Sequence, residues 1–479
     1  MEKYIVITLG PIFDTINLAS SPAAVWTGSY MFSYLNKTIC RLLVKRGVPE
    51  TDILTPYYTA DGAFPEDCDG VGLLHDRIVF RAGTFQIADF QQVREDAICH
   101  LAQTFMVDAS YLREYLLIAA ALVDAENPIL DTGKVLDCLE LAKPVIDSRE
   151  NNPLLSMLVG EKYYGNEVIK SLPLAQQFKN WQLRKSNGQL KSIPDIAGVA
   201  WNTGMKKHSY YAIVRADGDH MGDIIASLSS SAIREFSKDC IFYCAEIARK
   251  VRDFGGVAIY SGGDDLLAIL PCENQQGESV FSFIRQANAV FHKSFPKEKY
   301  HADVSLSFGV TICYHKFPLY EALEDSQHML FGLAKSKRNC SAIHLQKHAG
   351  QSEGLIIPND ALEILISQYE SFVSKNDSEW LHSIHHKLHL SRRLFLKADT
   401  DLDRIRNLFA NLFDAEIHID NKLLLQELPE FYYGIKTKLK IESVTDKRDD
   451  TPGENEAIDT LCYMLRLFKF FVEKGGEKE

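Results

Sequence analysis

Val257-Ala258-Ile259-Tyr260-Ser261-Gly262-Gly263-Asp264-Asp265-Leu266-Leu267-Ala268-Ile269-Leu270 is the stretch on which the reading of this chain turns. Two short β-type runs, Val257 to Tyr260 and Leu266 to Leu270, flank five turn-type residues, and the whole reads as a hairpin. Such a turn places Asp264 at the tip and Asp265 at the start of the returning strand. Adjacent carboxylates repel, so a fold keeps them mostly where a cation neutralises them. Gly262 and Gly263 are expected to take positive φ and to let a phosphate approach closely.

Working outward, Tyr211 to Asp217 is a strand candidate that ends on an acid. A helix follows with apolar residues Ile233, Phe236, Cys240, Cys244, Ile247 and Val251 at steps of three and four, Ser230 and Ser231 as caps, and Gly255-Gly256 as its stop. Beyond the hairpin come a helix near Val280 to Phe295, a strand at Val304 to Tyr314, a helix from about Leu319 to Lys335, and a strand at Ala342 to Gln346. The order β-α-β-β-α-β is that of a ferredoxin-like sheet. Neighbouring strands lie about 4.8 Å apart. Asp217, Asp264 and Asp265 are therefore candidate ligands for two divalent ions, Mg2+ or Mn2+, spaced about 3.5–4 Å. The loop Asp217-Gly218-Asp219-His220-Met221-Gly222 leads into a helix, so backbone N–H groups at Gly218, Asp219, Met221 and Gly222 are expected to cradle a triphosphate. Ser261 offers a hydroxyl and Lys335 an ammonium to the same phosphates. The plainer alternatives make Asp219 a loop-capping residue and Lys335 a solvated helix-end cation.

Near the start, Tyr4 to Gly10 repeats the strand pattern and leads to a helix candidate from about Pro22 to Arg46. Gly10 then occupies the place of Asp217, which indicates two related domains, one without its acid. Residues 108 to 205 read as mainly helical, for example Tyr111 to Leu122 and Val135 to Leu141. From about 355 the pattern is helical again, with Ile458, Leu461, Leu465, Phe468 and Val472 as a buried stripe and 443 to 455 as a charged loop. The expected architecture is α+β: 1–107 a degenerate first sheet domain, 108–205 helical, 206–350 the acid-bearing domain, 351–479 a helical bundle.

Among the 479 residues no apolar stretch approaches the roughly 20 needed to span a membrane. Met1 to Leu9 is too short and strand-like for a signal peptide, so the cytoplasm is the expected location. Ten cysteines without a C-x-x-C pair read as reduced core thiols, Cys240 and Cys244 among them. A net charge of −12 argues against strong RNA binding by the chain alone; if it meets RNA or DNA, the expected setting is a complex whose other subunits carry the positive charge. His382, His385, His386 and His389 share a helix face, but Leu381, Ile384 and Leu388 already explain an amphipathic helix. His75-Asp76 has no partner dipeptide that would make it a metal phosphohydrolase site. Arg392-Arg393 and Lys436, Lys438 and Lys440 read as solvated faces.

Gly10-Pro11, Trp26-Thr27-Gly28-Ser29-Tyr30 and Phe32-Ser33-Tyr34-Leu35 resemble the start of the first palm in the large subunit of type III CRISPR effector complexes, Cmr (III-B) type. Asp217 to Gly222, Ser261 to Asp265, Ser307-Phe308-Gly309-Val310 and Ala334-Lys335 with Asn339 resemble its second palm. The resemblance implies two ferredoxin-like, nucleotidyl-cyclase-like palms, an intervening helical domain, and a C-terminal bundle facing small helical subunits. It implies activation by target RNA captured through a guide RNA, and conversion of ATP into a signalling nucleotide. That product is a cyclic oligoadenylate or, as in some members, a conjugate of ATP with S-adenosylmethionine. Asp264 and Asp265 carry over as the metal-binding pair, Asp217 as the first-strand acid, and Ser261 and Lys335 as triphosphate contacts. Many members begin with an HD nuclease domain; this sequence starts at the first palm strand, so cleavage of single-stranded DNA is not expected. The four-cysteine zinc site of many members is not visible either. Two rivals remain: a catalytically inactive scaffold of an RNA-guided complex, and a diguanylate-cyclase-like enzyme, although Leu266 stands where that family continues Glu-Phe.

Overall fold

The computed structural model describes residues 2–60, 70–141, 162–178, 181–347, 352–373, 378–398, 401–413, 422–444 and 456–474. Two sheets organise it, the first antiparallel and the second mixed, with β8 (Ser305–Tyr314) and β9 (Cys340–Gln346) parallel. The first sheet has the order β2-β3-β1-β4, formed by β1 (Glu2–Gly10), β2 (Ile53–Thr55), β3 (Arg77–Arg81) and β4 (Leu117–Ala125). Helix α1 (Pro22–Lys45) follows β1, with Pro22 in its first turn and the Ser21 hydroxyl accepting from Ala24 N at 3.2 Å.

β4 corrects the expectation of a helix from Tyr111 to Leu122. The helix is confined to Ala109–Tyr115, and Leu117–Ala125 pairs with β1 along its whole length, Glu2↔Ala125 to Gly10↔Leu117. Its Ala and Leu favour helix, but a nine-residue ladder against a buried strand overrides that preference. The first palm sheet thus continues to Ala125, past residue 107.

The second sheet runs β11-β10-β9-β8-β5-β7-β6. It contains β5 (Tyr210–Asp219), β6 (Val257–Gly262), β7 (Asp265–Pro271), β8 (Ser305–Tyr314) and β9 (Cys340–Gln346), as the pattern predicts. Two further strands, β10 (Ser352–Pro358) and β11 (Glu442–Val444), come from the region expected to be purely helical. A short apolar run such as Leu355-Ile356-Ile357 is ambiguous in periodicity, and here it completes the sheet edge beside β9. The C-terminal helix Glu456–Val472 buries the expected stripe from Ile458 to Val472. It does so against the second palm: Phe470 lies 4.7 Å from Tyr210, and Phe471 5.3 Å from Phe281, ring to ring. Residues 445–455 of the expected loop lie outside the described residues.

The palms grip each other reciprocally. Helix α1 of the first lies against β6 of the second, and α2 (Ser230–Asp253) of the second lies against β2 of the first. Ser261 N donates to Gly72 O at 3.1 Å, while Arg234 donates to Ile53 O and Tyr58 O, each at 2.7 Å. Gln182, from the intervening segment, accepts from Ala258 N at 2.7 Å and so caps the β6 edge. Among the described residues no helix is long and apolar enough to cross a membrane. His385 accepts from Arg466 Nε at 2.8 Å above buried Ile384 and Leu388, as an amphipathic helix requires. The His382 side chain lies outside the described residues.

Candidate active site

The antiparallel register brings the acids together. Ala216 pairs with Leu266, so one step further Asp217 comes opposite Asp265, and the two carboxyls are in hydrogen-bonding contact. Asp264, at the tip, accepts from Gly218 N–H. Burial pushes the Asp264 carboxyl up to about 7; the neighbouring Asp217 adds to the rise and Lys335 opposes it. Asp265 is raised well above the usual carboxylate range by burial, by Asp264, by contact with Asp217 and by Asp76. Crowded, dehydrated acids of this kind demand a counter-cation.

Lys335 supplies one. Its Nζ ion-pairs with the Asp217 carboxylate and with Asp219 Oδ1 at 3.0 Å, and donates to Gly218 O at 2.7 Å. An ammonium caged by carboxylate and carbonyl oxygens marks a site whose hard donors suit Mg2+ or Mn2+. Among the described residues no three His, Cys, Asp or Glu side chains stand ready to enclose an ion, Lys335 being seated on one of the acids. The lysine is held there because helix α3 (Leu319–Gln327) continues into a π-helical turn, His328–Ala334, pressed against β8. Gly309 permits the approach: a Cβ there would lie 2.6 Å from Ser326 O.

Two expectations need correction. Only Gly263 takes positive φ (69°); Gly262 is needed because a Cβ would run into the Tyr260 hydroxyl. Ser261 turns inward, fully buried, and its Oγ donates to Cys244 O at 3.2 Å, so its hydroxyl does not face the phosphate side. The hairpin pleat points it at α2. Asp219 takes the loop-capping role: it is buried and accepts from Ser307 Oγ at 2.7 Å, Ser305 Oγ at 2.9 Å and Asn339 N at 2.9 Å. Burial alone would raise its pKa, but these bonds and Lys335 hold it below the ordinary value. The glycines of the loop also divide. A Cβ at Gly218 would lie 2.6 Å from Asp264 Oδ2, whereas at Gly222 it would meet nothing within 4 Å.

A cavity of about 380 Å3 opens beside the turn, and both palms wall it: Met221, Cys240, Gly263 and Asp264 from one, His75 and Asp76 from the other. Asp76 was not foreseen as a site residue, although the dipeptide was noticed; only the juxtaposition of the two hairpins gives it meaning. Burial pushes its carboxyl up to about 6. The arrangement, Asp264 and Asp265 lining a nucleotide-sized chamber with Asp217 and Lys335 packed beside them, can hold a metal-bound triphosphate and a second molecule beside it.

Comparison with known proteins agrees. Residues 210–343 match the family model described as "Cas10/Cmr2, second palm domain", and residues 4–104 match "CRISPR-associated protein Cmr2, N-terminal". The chain is 30% identical over 224 residues to the CRISPR system Cmr subunit Cmr2 of Pyrococcus furiosus, an alignment covering 41% of this chain and 25% of that protein. The match therefore spans about a quarter of the curated relative's length. A type III-B Cmr-beta cryo-EM structure in the apo state superposes with a TM-score of 0.59 at 12% identity, over 99% of this chain and 82% of that one. A Csm1–Csm4 cassette in complex with cA4 superposes at 0.56 and 14% identity, over 98% and 70%. The same cassette with AMPPNP gives 0.56 at 13%, over 98% and 70%. At such identities the likeness speaks for the fold.

Proposed function

We propose, for a chain that belongs to the Cas10/Cmr2 type, that its second palm is the working nucleotidyltransferase of a type III CRISPR (Cmr) complex, switched on by target RNA. The observation that carries this reading is the convergence of Asp217 with Asp264 and Asp265, the latter two lining a chamber built by both palms. ATP is the substrate, as the AMPPNP-bound relative supports. The acceptor is the ribose 3′-OH of a second adenylate, giving a cyclic oligoadenylate, or S-adenosylmethionine, giving a conjugate. The new bond forms between the acceptor oxygen and the α-phosphorus, and the bond to the β-phosphate oxygen breaks, so pyrophosphate leaves.

Divalent ions held by Asp217, Asp264 and Asp265 would lower the pKa of the attacking hydroxyl and neutralise the leaving oxygens. Gly218 gives Asp264 a backbone donor and leaves room for its oxygens. Lys335, a compact ammonium on a flexible stem, is placed to exchange its carboxylate partners for the β- and γ-phosphates. Asp219 keeps the loop in shape through Ser305, Ser307 and Asn339. Met221 covers the apolar side of the chamber. The first palm provides its opposite wall. Guide RNA, target RNA and the small helical subunits are the proposed partners, consistent with a net charge of −12 that leaves phosphate binding to others.

Mass spectrometry of products from the assembled complex with target RNA and ATP, with and without S-adenosylmethionine, tests the reading. A new adenylate product that needs Asp264 and Asp265 is expected. RNA-activated complex that leaves ATP untouched under both conditions would make the chain a scaffold.

A further inference from the structure

Behind the acids sits a buried cation that the mechanism above leaves unused. Arg215 precedes Asp217 by two residues on β5 and therefore shares its face of the sheet. Its registered partner is Leu267, which sets it diagonally across from Asp265, within side-chain reach. Only 6% of Arg215 is exposed. One corner of its guanidinium is tied down: Nε donates to Ser326 Oγ at 3.0 Å, and Ser326 Oγ donates to Leu323 O at 2.7 Å. Nη2 is buried without a hydrogen-bond partner. It lies at a cavity of about 90 Å3 walled by Asp265, Asp76, Tyr260, Leu330 and Phe331. Buried charge without compensation is among the most expensive features a fold can carry. Asp265 is the acid whose field acts on this arginine.

We propose that Arg215 is a built-in counter-cation for the metal site: its charge, set diagonally across from Asp265 without a direct bond to it, stabilises the acid cluster before any divalent ion arrives. The inference rests on the reading of Asp217, Asp264 and Asp265 as metal-binding acids. It also divides the work between two cations. Lys335 holds Asp217 and Asp219 at the end of a long, rotatable stem. Arg215 is a rigid fork locked to α3 and stays where it is. A fixed positive charge that remains when the metal binds opposes that metal. Arg215 therefore serves two ends of opposite sign: it stabilises the metal-free protein and weakens metal affinity, so that ions enter chiefly with the negatively charged triphosphate. A residue that merely filled space would move both quantities down together when replaced.

The test is Mn2+ titration of the nucleotide-free full chain, followed by calorimetry or by the free-ion EPR signal, together with melting in EDTA. Arg215→Met should bind Mn2+ roughly tenfold more tightly, as loss of one nearby charge implies, and melt at a lower temperature in EDTA. Arg215→Lys should stay near wild type in both. Adding Asp265→Asn to Arg215→Met should restore the melting temperature toward that of Asp265→Asn alone, including when Arg215→Met by itself fails to fold. Unchanged or weaker Mn2+ binding in Arg215→Met, or no rescue by Asp265→Asn, overturns the proposal while the metal reading stands. Wild-type Mn2+ binding that survives Asp264→Asn with Asp265→Asn removes the metal reading and the proposal together.

Discussion

In the first palm β1 ends at Gly10, and the register Thr8↔Arg77 brings Gly10 opposite His75; in the second, β5 carries Asp217 opposite Asp265. The four-strand order is the same, β2-β3-β1-β4 against β6-β7-β5-β8. What differs is how the charge at the hairpin is settled. His75 is neutral and satisfied: Nδ1 accepts from Arg77 N at 3.2 Å, so the proton is on Nε2, which donates to Thr55 Oγ1 at 2.8 Å. Burial pushes its pKa down to about 4. The second hairpin keeps acids that only cations can satisfy. One copy therefore closes its turn by hydrogen bonds and becomes a wall, while the other stays electrostatically unfinished and can work.

The sharpest way to break this comparison is to neutralise the unfinished turn. Asp264→Asn with Asp265→Asn should cut product formation by at least about 10³-fold, since metal stabilisation of the transition state is worth several kcal/mol. The same variant should keep its fold and melt close to wild type in EDTA, because the relief of mutual repulsion is offset by the buried Arg215 losing the acid that faces it. A lower melting temperature with intact synthesis would make the acids structural. Next in size, Asp217→Asn should lose about 10²–10³-fold in turnover. Gly10→Ala should change turnover less than about twofold, since the new Cβ meets only Leu117 at 3.7 Å. If the two substitutions exchanged effects, the working and silent palms would be misassigned.

Within the second palm, Gly218→Ala should cost about 10–100-fold in kcat and raise the Mg2+ requirement, because its Cβ would displace Asp264. Gly222→Ala, with open space around it, should be near wild type; equal losses would show that the loop backbone matters more than the Asp264 contact.

The palms should also differ in sign with pH. Asp264 has a folded pKa near 7 against 3.8 when unfolded, so in EDTA its contribution to stability is present below pH 4 and lost as pH rises through 7. His75 runs the other way: its folded value near 4 lies below 6.5, so its contribution is present above pH 6.5 and lost as pH falls through 4. Melting curves of Asp264→Asn and His75→Asn across pH 4–7 should deviate from wild type with opposite slopes. Parallel deviations would remove the contrast. The smallest effect belongs to Ser261→Ala, which should lower stability by about 0.5–1.5 kcal/mol through its lost bond to Cys244 O and leave KM for ATP unchanged. A several-fold rise in KM would restore the phosphate contact that its position in the hairpin invites.

Much of the second palm was legible because the signals are local. A Gly-Gly-Asp-Asp turn between two apolar runs, and a strand ending on an acid before a Gly-rich loop, are decided by turn chemistry and charge repulsion within a few residues. So were α2 and the buried stripe of the C-terminal helix, whose spacing alone orients them. The tertiary structure decided what depends on distant partners. β4 became a strand because β1 lay open beside it, and β10 and β11 because β9 offered an edge. Ser307 and Lys335, 88 and 116 residues away, fixed Asp219 as the loop's cap, and the carbonyl of Cys244 on the helix beneath turned the Ser261 hydroxyl inward. Asp76 joined the site only because one palm packs on the other, and Arg215 only because β5 pairs with β7 and packs under Ser326. A carboxylate announces its charge in the sequence, but whether that charge meets solvent, a hydroxyl, a lysine or an ion is set by which elements pack against it.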